Sequence, residues 1–122
     1  MARISGSNTK PEIIVRKILY SMGFRYRLNV RKLPGTPDIV LSKYKKVIFV
    51  NGCFWHGHKN CQRAKRPTTN IQFWNKKIIG NIERDKKNKA ELRKLGWRVL
   101  VIWGCEVEKT SRLEKKIDKF LT

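Results

Sequence analysis

The sequence predicts an α/β fold in which helices cover both faces of a mixed β-sheet. Apolar residues recur at helical spacing in separate segments, and other short segments have the apolar or alternating pattern of strands. The predicted order is helix, three strands, helix, strand, helix, and a strand reached through a long helix usually returns parallel to its neighbour. A chain of 122 residues has room for one core, so residues 1–122 are expected to form a single domain.

The first half of the chain predicts one helix and three strands. Thr9 begins a capping-box pattern, and the helix is expected over about residues 10 to 22. Alternating apolar and basic residues over 24–31 predict a strand with one buried and one basic face. A turn then leads to an apolar strand that begins at Asp38, and residues 47–50 are expected to form a hairpin with it.

The second half of the chain predicts a long helix, a strand and a terminal helix. A helical pattern begins at Ile71 and continues to Gly96, with Gly80 as a candidate position for a break. Residues 97–103 are apolar enough for a buried strand. The spacing of apolar residues from Leu113 to Leu121 predicts the last helix.

The charge of the chain indicates its partner. Lys and Arg number 29 against nine Asp and Glu, giving a formal net charge of +20. A hydrophobic fraction of 40% with four Trp excludes a disordered basic tail. Such a charge favours nucleic acid over a membrane or an acidic protein, because phosphate contacts release counterions. The chain lacks an apolar stretch of membrane-spanning length or a signal-type segment, so we expect a soluble, cytoplasmic protein.

Asp38 is the first candidate for chemistry. It is the only carboxylate between residues 13 and 82, and apolar strand residues follow it directly. An aspartate after proline can simply cap a turn, but a carboxylate buried beside a strand requires a cation. Mg²⁺ prefers oxygen ligands, so Asp38, the backbone carbonyl of Val50 and a substrate phosphate form a candidate site. His56 is the candidate to take a proton from an attacking water, since imidazole exchanges protons near neutral pH.

A second candidate site consists of cysteines and a histidine. Cys53, His58 and Cys61 follow a C-x4-H-x2-C pattern, and Cys105 ends a distant predicted strand. Three sulfurs and one imidazole can hold zinc tetrahedrally. Cysteines of buried strands are often inert, so the spacing alone leaves both interpretations open. The concentration of all three cysteines and both histidines around one loop favours the metal.

The loop also carries large aromatic residues. Phe54 and Trp55 lie between Cys53 and His56, and Trp74 lies near the start of the following helix. Ordinary core packing is the usual role of any one such ring. Their combination with basic residues and candidate catalytic groups favours a role as wedges that unstack DNA bases.

Four segments together resemble the very-short-patch DNA mismatch repair endonucleases. The resemblance runs from about Asn8 to Cys105 in the family's order, and its most specific part is the cysteine-Phe-Trp-His block. The matching segments are residues 33–38, 47–58, 81–85 and 95–103.

The resemblance implies a restriction-endonuclease-like fold and a specific reaction. Members of this family nick DNA beside the thymine of a T:G mismatch, the product of 5-methylcytosine deamination, using Mg²⁺ and a structural zinc. We therefore expect a protein that acts as a monomer on double-stranded DNA. By this matching Asp38 would bind Mg²⁺ and His56 would act on the attacking water, with Glu12 and Asp85 as supporting polar residues. The intercalating aromatic residues would be Phe54, Trp55 and Trp74. The zinc ligands would be Cys53, His58, Cys61 and Cys105.

The chain departs from the family pattern at Val50 and Asn51, where the best-known pattern has Thr-His. The Val50 carbonyl can still bind a metal, and the Asn51 amide can donate a hydrogen bond to phosphate. An amide does not shuttle protons at neutral pH, however. Relative to the family pattern, the chain also has one extra residue between His58 and Cys61. Two alternatives therefore stay open: a nuclease of this fold without mismatch selectivity, and a zinc-stabilised DNA-binding protein without catalysis.

Overall fold

The computed structural model describes residues 9–122, so the first eight residues of the predicted domain, including Asn8, lie outside the described part. The described elements follow the predicted order. They are α1 (Lys10–Ser21), β1 (Arg27–Leu28), β2 (Ile39–Leu41), β3 (Lys46–Asn51), α2 (Ile71–Lys94), β4 (Arg98–Trp103) and α3 (Thr110–Leu121), with short 3-10 helices at Ser42–Tyr44, Gln62–Ala64 and Gly104–Glu108.

The four strands form one mixed sheet in the order β1-β2-β3-β4. β1 and β2 pair antiparallel, as do β2 and β3, whereas β3 and β4 are parallel. The parallel register joins Lys46 to Arg98 at one end and Asn51 to Trp103 at the other. The chain therefore leaves β3 and β4 at the same sheet edge, and this brings residues 52–58 close to residues 104–105.

The predicted covering of both sheet faces is confirmed. α1 and α3 pack on one face, and α2 packs on the other. The first core contains Val15, Ile18, Leu19, Ile39, Leu41, Ile48, Ile102, Leu113, Ile117 and Leu121, and the second centres on Val40, Val47 and Leu92. Burial on both faces explains why β2 and most of β3 are continuously apolar rather than alternating. Among residues 9–122, no helix combines the length and apolar character needed to cross a membrane.

One predicted detail of the secondary structure is wrong, and one alternative that the sequence left open is resolved. β1 contains only two residues, because Asn29 has a φ of 49° and turns the chain out of the strand. Leu28, expected on the buried face, is consequently 39% exposed. Gly80 does not interrupt α2, which runs through it as one helix of 24 residues.

Candidate active site, zinc cluster and aromatic surface

Asp38 lies where β2 begins, against the end of β3. The backbone N–H of Val50 donates a hydrogen bond to Asp38 Oδ2 at 2.7 Å. This contact follows from the antiparallel register of β2 and β3, which pairs Ile39 with Ile48 and places the preceding aspartate beside the last residues of β3. The two residues predicted to hold Mg²⁺ are therefore neighbours in space.

The surroundings of Asp38 disfavour its charged form. The pKa of this carboxyl is raised to about 7, mainly by burial and also by the nearby Glu12 carboxylate. The Val50 N–H, His56 and Arg16 oppose this change and lower the pKa. A carboxylate with such a pKa gains most from a bound cation, because the cation offsets the cost of burying its charge.

Glu12 is a second carboxylate near this position. It lies in the first turn of α1, is only 2% exposed, and belongs to the capping box predicted at Thr9. Its Oε2 accepts a hydrogen bond of 2.8 Å from the Thr9 hydroxyl, and its Oε1 lies 3.6 Å from the guanidinium of Arg16. Arg16 was not predicted as a site residue, although its i+4 spacing from Glu12 was a visible signal.

His56 and Asp85 form a hydrogen-bonded pair. The Nδ1 atom of His56 lies 2.6 Å from Asp85 Oδ2, and both side chains are partly exposed, at 30% and 27%. A carboxylate on Nδ1 fixes the orientation of the ring and favours the tautomer with its proton on Nδ1. The Nε2 atom can then accept a proton from water. The pair joins the loop after β3 to the middle of α2.

Asn81 fastens the same loop to α2. Its side-chain amide donates to the backbone carbonyl of Trp55 at 2.8 Å. Asn51, at the end of β3, is 7% exposed and lines a small cleft between the sheet and α2. The other residues of this cleft are Phe49, Asp85, Asn88, Lys89 and Val101. Neither Asn88 nor Lys89 was predicted as a site residue.

Gly57 packs directly against α2, between the two histidines of the loop. Its φ is +60°, and a Cβ built on it would lie 2.6 Å from Ile82 Cδ1 and 3.0 Å from Ile78 Cγ2. Both the backbone conformation and the close approach require glycine. The loop position therefore depends on a residue without a side chain.

We expect Gly57→Ala to destabilise the protein by about 1–3 kcal/mol, the usual cost of a left-handed conformation combined with overpacking. The loop would move away from α2 and displace His56, so the DNA nicking that the resemblance implies should fall as well. Thermal unfolding and nicking assays measure the two effects. Gly52→Ala is the control, since the nearest atom to its Cβ is 3.7 Å away. Unchanged stability in Gly57→Ala would contradict this prediction.

The four predicted zinc ligands lie together. The ligand atoms of Cys53, His58, Cys61 and Cys105 are all within 4.8 Å of one another. In a tetrahedral zinc site such atoms are roughly 3.5–3.8 Å apart, since Zn–S is about 2.3 Å and Zn–N about 2.0 Å. His58 also stacks on Trp103, with ring centres 4.1 Å apart and planes 8° from parallel. The set therefore has the ligand chemistry of a zinc site, and its atoms are close enough together to be compatible with one.

The cysteine pKa values differ within this cluster. The pKa of Cys105 is raised to about 11, mainly by burial and also by the adjacent thiols of Cys53 and Cys61. At Cys61 burial also raises the pKa, but hydrogen bonds from the Arg63 backbone and the neighbouring thiols outweigh it, so the net change is a lowered pKa. Crowded thiols of this kind ionise together only when a cation lies between them.

The predicted aromatic residues form one cluster at the start of α2. Ring centres of Phe54 and Trp55 are 5.2 Å apart, those of Phe54 and Trp74 are 5.3 Å apart, and those of Trp55 and Trp74 are 5.8 Å apart. Phe73 extends the cluster, lying 5.1 Å from Trp74, and is 59% exposed. The three predicted rings are only partly buried, so the cluster presents an apolar surface beside the His56 loop.

Comparisons with known proteins identify relatives of this arrangement. Residues 1–63 match the family model described as DNA mismatch endonuclease Vsr. Over 121 residues the chain is 46% identical to the type II nicking enzyme V.NmeAIP of Neisseria meningitidis, covering 99% of this chain and 86% of the relative. It is 40% identical over 113 residues to the DNA mismatch endonuclease Vsr of Escherichia coli, and the match covers 93% of this chain and 72% of that relative.

A solved structure has a similar fold. The catalytic domain of the homing endonuclease I-Bth0305I superposes with a TM-score of 0.66 and 27% sequence identity. The match covers 93% of this chain and 94% of that domain. The mixed sheet with its flanking helices is therefore an endonuclease fold, as the resemblance implied.

Proposed function

Because the chain belongs to the DNA mismatch endonuclease Vsr family, we propose that it nicks double-stranded DNA beside the thymine of a T:G mismatch. Family membership makes the chain a DNA endonuclease. The choice of mismatch, the metal ions and the residue roles are our proposal. One observation carries it: Asp38, at the start of β2 and against the end of β3, interacts electrostatically with His56, and Asp85 orients His56.

His56 is proposed as the general base. Asp85 holds its Nδ1 atom, so Nε2 can take a proton from the water that attacks the phosphorus atom. The pair is comparable to other His–carboxylate pairs in which the carboxylate orients the ring rather than taking the proton itself. Asn51 is proposed to donate a hydrogen bond from its amide to a phosphate oxygen.

Asp38 and the backbone carbonyl of Val50 are proposed to hold Mg²⁺. Their all-oxygen donor set and the raised pKa of Asp38 fit a hard divalent cation. Mg²⁺ held by these residues would supply positive charge to the phosphate and would activate water. Glu12 adds negative charge nearby, and its Oε1 atom has no hydrogen-bond donor within the described residues. Glu12 is therefore proposed to support the cation from α1.

The aromatic cluster is proposed to open the base stack at the mismatch. Phe54, Trp55 and Trp74 form a partly exposed wedge on the loop that carries His56. Unstacking a mismatched step costs less than unstacking a matched one, so a wedge of this kind favours a mismatch. The net charge of +20 supplies phosphate contacts along the surrounding duplex.

A zinc ion is proposed to hold the loop in position. Cys53, His58 and Cys61 flank or follow the catalytic histidine, and Cys105 anchors them to the end of β4. The four-ligand set leaves no open coordination position, as is typical of a structural site. Zinc would thereby fix the position of His56 without taking part in the reaction.

The mismatch proposal is tested with end-labelled duplexes that differ only in one T:G or C:G pair, placed in several flanking contexts with Mg²⁺. We expect one nick on the thymine strand, in the T:G duplexes alone. Equal nicking of both duplexes would instead establish a nuclease without mismatch selectivity. Salt-sensitive binding without nicks in any context would indicate a DNA-binding protein without catalysis.

A further inference from the structure

The cleft beside Asn51 contains one cationic side chain. Lys89 lines it together with Asn51 and Asp85. Asn51 is 7% exposed and uncharged, and Asp85 forms a hydrogen bond with His56. Lys89 is partly buried, in contrast to Lys86 and Lys87 on the same helix, which are exposed.

Helical geometry directs Lys89 to the active-site face of α2. It lies four residues after Asp85, and residues at this spacing share one face of a helix. Asn88 lies three residues after Asp85 and packs against Gly35, in the turn that leads to Asp38. A Cβ atom built on Gly35 would lie only 2.9 Å from the side-chain nitrogen of Asn88. This face of α2 thus contacts both the His56 loop and the Gly35 turn.

Within residues 9–122, the ammonium group of Lys89 forms no ion pair with a carboxylate. The basic residues that do form ion pairs in this part of the chain are Arg16, His56, Arg63 and Lys116. A partly buried cation pays a desolvation cost that an anion would offset. Phosphate is the anion that the nuclease reaction brings to this end of β3, where Asn51 supplies no charge.

We infer that Lys89 binds an oxygen of the scissile phosphate and supplies there the positive charge that Asn51 cannot. This inference rests on the proposed function and adds a residue to it. Lys89 acts through its positive charge and takes no part in proton transfer. Its charge stabilises the transition state of hydrolysis, in which negative charge on the phosphate oxygens increases.

The experiment compares Lys89→Met with Lys89→Arg and with Lys87→Met as the control for charge loss on an exposed part of α2. Nicking of the T:G duplex is measured in single turnover at saturating protein. We expect Lys89→Met to lower the rate constant roughly 10²-fold, as for loss of one preorganised charge donor. Lys89→Arg should recover most of the rate, and Lys87→Met should stay within about twofold, since surface charges act mainly on association. Adding Asn51→His to Lys89→Met should restore part of the rate near pH 6, where imidazole becomes protonated.

A binding measurement separates this inference from the proposed function. Without Mg²⁺, Lys89→Met should reduce the slope of log Kd against log salt by about one, as loss of one phosphate contact predicts. An unchanged slope, or a Lys89→Met nicking rate equal to wild type, would overturn the inference. If the wild type nicks no duplex but the slope falls, the phosphate contact stands and the proposed function fails.

Discussion

Asp38→Asn is expected to reduce Mg²⁺-dependent nicking by roughly 10³-fold or more, because the amide removes the charged ligand of the cation while keeping its shape. Asparagine retains a side-chain oxygen that can accept the hydrogen bond from the Val50 N–H, which is 2.7 Å long in the structure. The fold and the affinity for DNA should therefore be preserved. Single-turnover nicking and DNA binding without Mg²⁺ measure the two properties separately. Full nicking activity in this variant would exclude Asp38 as the metal ligand.

The same variant has a defined effect on stability. The folded state raises the pKa of Asp38 from 3.8 to about 7. Its contribution to stability is therefore fully present below about pH 4 and is lost as the pH rises through about 7, unless a cation binds. Without Mg²⁺, Asp38→Asn should melt at a higher temperature than the wild type at pH 8, and the difference should shrink toward pH 4. Melting curves in both conditions, with and without Mg²⁺, measure this effect.

His58→Ala is expected to remove the zinc and lower the free energy of unfolding by about 3 kcal/mol or more, because a structural zinc contributes folding free energy. The melting temperature of a domain of this size should fall by roughly 10 °C or more. Metal analysis of the purified wild type should give about one zinc per chain, since the cluster supplies four ligands.

His56→Ala is the matched control, since it changes the same residue type two positions away on the same loop. It should retain the zinc and nearly the full melting temperature, and yet lose nicking activity by about 10²- to 10⁴-fold, as for loss of a general base. A His58→Ala protein that is as stable as the wild type would argue against a structural zinc. Loss of zinc in His56→Ala would argue against the separation of the two histidines.

Local signals predicted most of the fold. The capping box at Thr9 identified the start of α1 to within a residue, and the apolar runs identified β2, β3 and β4. The long helix between β3 and β4 predicted their parallel pairing. β1 was overpredicted, because alternation gives no information about a left-handed residue such as Asn29 that ends the strand. Gly80 costs α2 too little to break a helix that packing stabilises.

The site was only partly visible in the sequence. The candidate zinc ligands were recognised because cysteine and histidine are distinctive metal-binding residue types. Asp38 was noticeable as the only carboxylate between residues 13 and 82. The hydrogen bond between His56 and Asp85 spans 29 residues, and no local pattern indicates it. Lys89 was indistinguishable from the other lysines of α2, since its position in the cleft depends on how the helix packs on the sheet.

The most direct measurement is anomalous diffraction from crystals of the protein bound to a T:G duplex, grown with Mn²⁺ in place of Mg²⁺. We predict a manganese peak within about 2.2 Å of an Asp38 carboxylate oxygen, and beside a phosphate of the thymine strand, with His56 facing the phosphorus. A separate zinc peak should lie among Cys53, His58, Cys61 and Cys105. Manganese bound only away from Asp38, with the phosphate distant from His56, would contradict the proposed site.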